Sequence, residues 1–263
     1  MADAQTGEPR RAGWVGWAGT LEQYQLSSGA SLAISVAPSA ACGRLGHLHA
    51  GSVWNGAVHL AQLIEEGLLR DRLRGRTVIE LGAGAGLPSL VALATAPDDA
   101  PRCVVLTDYD DPDLTANLQQ NVERNASLLA SNARVCGHSW GTAPVAALRA
   151  AAELDGSQAG SPGFDVVLAA DCLWNSEPYE GLLQSLAALL RPGGEVWLAH
   201  CHHWEGHEAD DRAFFARAEA LGFRVERWDA PAQRRTYACL FEDGEEQESF
   251  LHRLLWGAGK PSE

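Results

Sequence analysis

No apolar stretch in the chain approaches the roughly 20 residues that a membrane-spanning helix needs, so no membrane partner is expected. Arg10-Arg11 is followed by no apolar segment, which argues against a secretory leader. Basic residues are scarce: 20 Lys and Arg stand against 34 Asp and Glu, a formal net charge of -14 at pH 7. Nucleic-acid backbones are held by clustered Lys and Arg, so this balance argues against a nucleic-acid partner. The acidity fits a cationic substrate or partner, and it serves solubility equally well. No Cys-x-x-Cys occurs; Cys42, Cys103, Cys136, Cys172, Cys201 and Cys239 stand singly, several of them in apolar strand-like runs. They read as buried free thiols of a reducing compartment, so a cytoplasmic location is expected.

What the chain does have is 46% hydrophobic residues, enough to build a substantial core. From residue 77 onward strand-like and helix-like runs alternate with short connections. That is the pattern of a parallel sheet with helices on both faces. We expect a mobile tail over residues 1–20, one α/β domain over 21–257, and a short C-terminal tail over 258–263. Around Ser27-Ser28-Gly29-Ala30 the alternation of Leu32, Ile34 and Val36 predicts a β-hairpin ahead of the main sheet. Residues 38–46 read as loop. Ala57, Leu60, Ala61, Ile64 and Leu68 recur at helical spacing, with Trp54 at the mouth of that helix. Two closing strands are expected over 224–228 and 250–256, separated by a mostly polar segment. No long exposed apolar helix is left over, which points to a monomer.

The chain is organised around Thr77-Val78-Ile79-Glu80-Leu81-Gly82-Ala83-Gly84-Ala85-Gly86-Leu87-Pro88. A β-rich apolar run ends in an acid, meets three glycines and passes into helix formers: strand, tight turn, helix. Glycines permit positive φ and let a ligand approach main-chain atoms without a Cβ in the way, and the helix start offers unpaired N–H groups. Such a turn holds a nucleotide-like ligand at the carboxyl edge of a sheet. A dinucleotide fingerprint needs glycine at its first, third and sixth positions; here the third glycine falls at the fifth and Leu87 takes the sixth. Glu80 would repel a pyrophosphate, so a cationic nucleotide-like ligand suits the turn better.

Other candidate site residues also fall at strand ends. Asp108 closes Cys103-Val104-Val105-Leu106-Thr107 and is placed to accept hydrogen bonds from ribose hydroxyls. Asp111, before Pro112, is the better helix cap. Tyr109 either stacks on a purine or packs. Trp140 either walls an adenine or belongs to the core. Ala170, small and at a strand end, leaves room for a flat ring against the backbone. Asp171 either draws in a cationic acceptor or caps the next helix, and Trp174 can hold a cation over its ring. His200, His202, His203 and His207 resemble a metal cluster, but adjacent strand residues point to opposite faces, and no metal is expected.

Val53-Trp54-Asn55-Gly56, the Glu80–Pro88 motif, Asp108-Tyr109 with Asp111-Pro112-Asp113-Leu114, Trp140-Gly141, Ala170-Asp171 and His202-His203 occur in that order. The set resembles methyltransferase family 16, the seven-β-strand group of protein lysine methyltransferases. Within it the likeness is to the fungal-type branch once described as nicotinamide N-methyltransferases and now as protein N-terminal and lysine N-methyltransferases acting on eukaryotic elongation factor 1-alpha. It covers residues 21 to 256. The resemblance implies a Rossmann-like fold with a seven-stranded, mostly parallel sheet, and S-adenosyl-L-methionine as cofactor. It implies that Trp54 closes over the cofactor and that Gly82, Ala83 and Gly84 turn beneath its amino-acid end. It further implies that Asp108 takes the ribose hydroxyls, Trp140 flanks adenine and Ala170 offers its backbone. Related enzymes carry Asp-x-x-Tyr or Asp-x-x-Phe after the fourth strand; this chain has Asp171-Cys172-Leu173-Trp174.

The implied reaction is an in-line methyl displacement by a neutral amine, which needs alignment rather than a covalent nucleophile. The expected substrate is a protein amine, either lysine or N-terminus, with a translation elongation factor as candidate. The alternatives are a small nicotinamide-like amine, or a non-catalytic protein that binds the cofactor within a complex.

Overall fold

The computed structural model describes residues 14–18, 21–37, 52–142, 145–153, 163–203, 206–228, 230, 233–238 and 245–257. The expectations for residues 38–46, for the C-terminal tail and for Cys42 and Cys239 lie outside them.

Near the N-terminus, β1 (Trp14–Ala18), β2 (Leu21–Gln25) and β3 (Ser31–Ser35) form an antiparallel three-stranded sheet. The hairpin is where the alternation put it: Tyr24, Leu32 and Ile34 are buried. The strand β1 lies inside the segment expected to be a mobile tail. Its residues carry no alternation of their own, and it is defined by pairing to β2 rather than by local pattern.

The main sheet contains β4 (Thr77–Leu81), β5 (Cys103–Asp108), β6 (Asn132–Gly137), β7 (Phe164–Ala170), β8 (Leu190–Cys201), β9 (Phe223–Trp228), β10 (Arg235–Ala238) and β11 (Glu246–Trp256). Its order is β6-β5-β4-β7-β8-β11, with β9 and β10 both paired to β11. From β6 through β8 the strands run parallel; β11 is antiparallel to β8. Counting β9 as the far edge gives the seven-stranded, mostly parallel sheet expected. The strand β10 is additional and falls in the segment read as mostly polar, for which no strand was expected. It pairs with the first half of β11, which is longer than the alternation predicted.

Side chains on the strands alternate between two cores, as the pleat requires. Val78, Val104, Leu106, Val166, Leu168 and Trp197 face one core, with helices α1 (Asn55–Glu65), α3 (Leu87–Leu93) and α4 (Pro112–Arg124) and the hairpin. Between α1 and β4 lies the single turn α2 (Arg70–Leu73). Ile79, Leu81, Val105, Val167, Val196 and Leu198 face the other, with α5 (Val145–Ala151), α6 (Tyr179–Leu189) and α7 (His207–Leu221). Helices therefore cover both faces. One local reading needs adjusting and another holds. The helix α1 stops at Glu65, so Leu68 is outside it and exposed. Asp111 does cap α4, its Oδ1 accepting the Asp113 N–H at 2.9 Å.

The small sheet is fastened to the large one by a ladder that spacing alone did not reveal. Asn117 and Asn121 on α4 and Asn125, just past its end, lie four apart and so share a face. Asn125 exchanges two hydrogen bonds with the Ala33 backbone, each 2.9 Å. Asn121 accepts the Ser35 N–H at 2.9 Å, then donates to Ser35 O at 2.8 Å and to Ala85 O at 3.0 Å. The last of these ties the hairpin to the glycine turn.

Candidate active site

Because β4 to β8 are parallel, their carboxyl ends share one edge of the sheet. Gly82, Asp108, Trp140, Asp171 and His202 follow those ends in turn. In the turn after β4, Gly82, Gly84 and Gly86 have φ of 63°, 55° and 78°, left-handed values that side chains with a Cβ rarely adopt. A Cβ on Gly84 would meet nothing within 4 Å, so this backbone faces open space. Ala83 N–H donates to Thr107 O at 2.8 Å, and the Thr107 hydroxyl donates to Glu80 O at 2.7 Å, fixing the turn against β5.

Asp108 is the hinge of this group. Its Oδ2 accepts the Gly84 N–H at 2.6 Å and its Oδ1 accepts the Tyr109 N–H at 2.7 Å. Burial raises its pKa, and these two N–H donors act against that rise. A carboxylate offers about four acceptor positions, so two remain for hydroxyl donors. Tyr109 is 43% exposed beside it.

Trp140 lies against the turn: a Cβ on Gly82 would stand 3.0 Å from a ring carbon of Trp140 and 3.0 Å from Cys172 Sγ. The loop that carries Trp140 is pinned to α6. Ser185 Oγ accepts the Gly141 N–H at 3.0 Å and lies 3.0 Å from His138 Nε2. Cys172 donates its thiol to Leu81 O at 3.3 Å, and burial pushes that thiol well above its usual pKa, so it is no nucleophile.

Glu80 sits beneath the turn at the start of α3. It is 1% exposed, and its Oε2 accepts the Ser89 N–H at 3.2 Å while Oε1 has no hydrogen-bond partner. Burial pushes its pKa up to about 8. A buried carboxyl with a spare oxygen is a site that a nearby cation would stabilise in its charged form.

On the other side of the edge, Asp171 is buried and holds three segments together. Its Oδ2 accepts the Gly56 N–H at 2.5 Å, its Oδ1 accepts the Cys201 N–H at 2.9 Å, and His203 Nε2 stands 3.3 Å from Oδ1. Its φ is 48°, a left-handed value for which Asp is one of the more tolerant residues. A Cβ at residue 56 would lie 2.7 Å from Asp171 Oδ2 and 2.8 Å from Ala199 O, so only glycine lets α1 come this close. Trp54 precedes that helix and meets His203 edge to face at 5.0 Å. Ala170 is half-buried and pairs with Ala199 of β8. Trp174 is half-buried in the segment between β7 and α6.

The structure thus brings the expected residues into two neighbouring groups: Gly82, Ala83, Gly84, Asp108, Tyr109 and Trp140; and Trp54, Ala170 and Asp171. Sequence reading quoted Gly56 and His203 only as parts of motifs, without these contacts, and gave no role to His138 or Ser185. The Trp54-Asn55-Gly56 motif signalled the first, but its contact with Asp171 spans 115 residues and leaves no local trace.

The sequence model of the lysine methyltransferase family matches residues 44–220, more than half the chain, and the chain belongs to that family. A relative in Neurospora crassa, named protein N-terminal and lysine N-methyltransferase efm7, is 31% identical over 234 residues, covering 85% of this chain and 76% of that protein. A protein of the same name in Schizosaccharomyces pombe is 33% identical over 182 residues, covering 68% of this chain and 67% of its own. Among solved structures, the YcgJ protein of Bacillus subtilis superposes with a TM-score of 0.52 at 10% identity, over 77% of this chain and 100% of its own. SMU.776, a putative methyltransferase complexed with SAH, gives 0.52 at 12% identity, over 90% and 57%. These two establish the fold alone, and the family match makes the chain a methyltransferase.

Proposed function

We propose that the chain transfers a methyl group from S-adenosyl-L-methionine to an amine on a protein, a lysine side chain or an N-terminus. The observation that carries this reading is the Gly82–Gly86 turn held to Asp108 by the Gly84 N–H. It is supported by the names of relatives that match most of the chain.

The residues present fit the cofactor. Gly84 offers an open backbone surface, Asp108 two free acceptor positions for ribose hydroxyls, and Trp140 a flat wall against Gly82. Glu80 Oε1 supplies a buried, unpaired oxygen beneath the turn, suited to a cationic ligand. S-adenosyl-L-methionine, when bound, supplies an electrophilic methyl on a positively charged sulfur.

The rest is positioning by the chain. Asp171 keeps the start of α1 and the end of β8 together, so Trp54 and His203 stand side by side at this edge, which is read here as the acceptor side; Trp174 lies three residues after Asp171. Each oxygen of Asp171 accepts one backbone N–H and Oδ1 also meets His203 Nε2, so in this reading Asp171 holds the wall, where the sequence reading had it draw in a cationic acceptor. Trp174 and Trp54 are aromatic surfaces that favour a cationic side chain on its way in. The amine loses its proton to solvent before transfer. Alignment of amine and methyl then supplies most of the rate gain, for which effective molarities of about 10⁵–10⁸ M are known in well-oriented systems.

The finer reading is a translation elongation factor as substrate, a cytoplasmic location and a monomeric enzyme. The substrate rests on the sequence resemblance. The described large apolar side chains that are exposed, Leu68, Tyr109 and Leu221, are scattered along the chain, which supports the monomer. Incubating purified elongation factor 1-alpha with enzyme and S-adenosyl-L-methionine tests the reading. Mass spectrometry should find one to three added methyls on a lysine or the N-terminal amine; an unmodified factor would remove it as substrate.

A further inference from the structure

The fifth parallel strand ends in a histidine cluster that the methyl-transfer reading does not use. His200 and His202 are two residues apart, so the pleat that separates neighbours puts these two on one face. Both turn toward Asp211 of α7. His202 Nδ1 lies 2.8 Å from Asp211 Oδ2, and His200 Nδ1 lies 3.2 Å from the same oxygen. All three atoms fall within 4.8 Å of one another.

Two features distinguish this from a plain hydrogen-bonded trio. His200, whose side chain is 2% exposed, stands with Nδ1 3.2 Å from the carboxylate oxygen but poorly aligned for a hydrogen bond. A buried nitrogen aimed into a cluster without a properly directed proton is what a metal ligand looks like. The spacing also fits: zinc bonds to N and O of about 2.0–2.1 Å set tetrahedral edges of roughly 3.3 Å, close to the two distances here.

The outer partners are in place as well. Metal-bound imidazoles usually engage a second group through their other nitrogen, and His200 Nε2 is 3.3 Å from His252 Nδ1. Asp211 Oδ1 accepts the Tyr179 hydroxyl at 2.9 Å. The His202 side chain is 27% exposed, which leaves a route for an ion and a place for water as fourth ligand.

We propose that His200, His202 and Asp211 form a binding site for a divalent cation of the zinc class. The ion would fasten the end of β8 to α7. The following residue, His203, faces Trp54 and Asp171, so the ion would stiffen the wall of the acceptor side without touching the reacting atoms.

The test uses the full chain, freed of metal with a chelator and titrated with Co²⁺ and then Zn²⁺. The site predicts one Co²⁺ per chain with the visible absorption of a tetrahedral complex, displaced by Zn²⁺. Zinc should also raise the melting temperature by on the order of 5 °C. His202→Ala, at the exposed rim, should fold yet lose both the absorption and the shift, and Asp211→Asn should weaken binding at least tenfold. Absence of stoichiometric cobalt binding, or an undiminished signal in His202→Ala, would overturn the site and leave only hydrogen bonds between the three residues.

Discussion

Two acids at strand ends behave differently although the sequence presents them alike. Asp108 spends one oxygen on each of two N–H groups of the glycine turn and its own neighbour, and keeps acceptor capacity at the open edge. Asp171 is turned inward between α1 and β8. Asp108→Ala should therefore weaken S-adenosyl-L-methionine binding about tenfold to a hundredfold, since hydrogen bonds to a charged group contribute roughly 1.5–3 kcal/mol; calorimetry reads this directly. Glu80 gives a pH prediction. Its folded pKa of about 8 lies above the ordinary carboxylate value of 4.5, so the fold holds a proton that the unfolded chain releases. Stability from this group is fully present below pH 4.5 and is lost as pH rises through 8. Glu80→Gln should flatten that part of the stability profile of the ligand-free protein, which thermal unfolding from pH 5 to 9 measures; an unchanged slope would argue against a protonated Glu80. The strand-end position of Asp108 was legible because strand, acid and cap follow one another locally. The partners of Asp171 were not, because they come from Gly56 and Cys201.

At the level of elements, periodicity carried the reading where one residue's environment repeats. The continuous apolar runs of β4, β5 and β7, their alternation with helix-like runs, and the turn residues after β4 were enough to place the parallel sheet and its edge. Pairing without pattern was not: β1 and β10 take their definition from β2 and β11. The asparagine ladder was equally silent, since Asn on a helix usually reads as a solvated face. Asn121→Ala tests its weight. The change leaves the Ser35 N–H and carbonyl and the Ala85 carbonyl without this partner, and buried polar groups left unpaired cost about 1–3 kcal/mol each. A loss of roughly 2–4 kcal/mol in denaturant unfolding is expected, with faster amide exchange in the hairpin.

For the whole molecule, the parallel strands bring Gly82, Asp108, Ala170 and Asp171 to one rim, where α1 adds Trp54, and two cores pack on either side of the sheet. The formal charge of -14 favours approach of a basic protein surface. The central claim is methyl transfer to a protein amine, and it is tested most directly by incubating the enzyme with methyl-labelled S-adenosyl-L-methionine and a fractionated cell extract. The account predicts label in a protein band, acid-stable and mapped to a lysine or N-terminal amine, and about tenfold to a hundredfold less of it with Asp108→Ala at sub-saturating donor. Label confined to small amines, or to nothing at all while the enzyme still binds the donor, would contradict it.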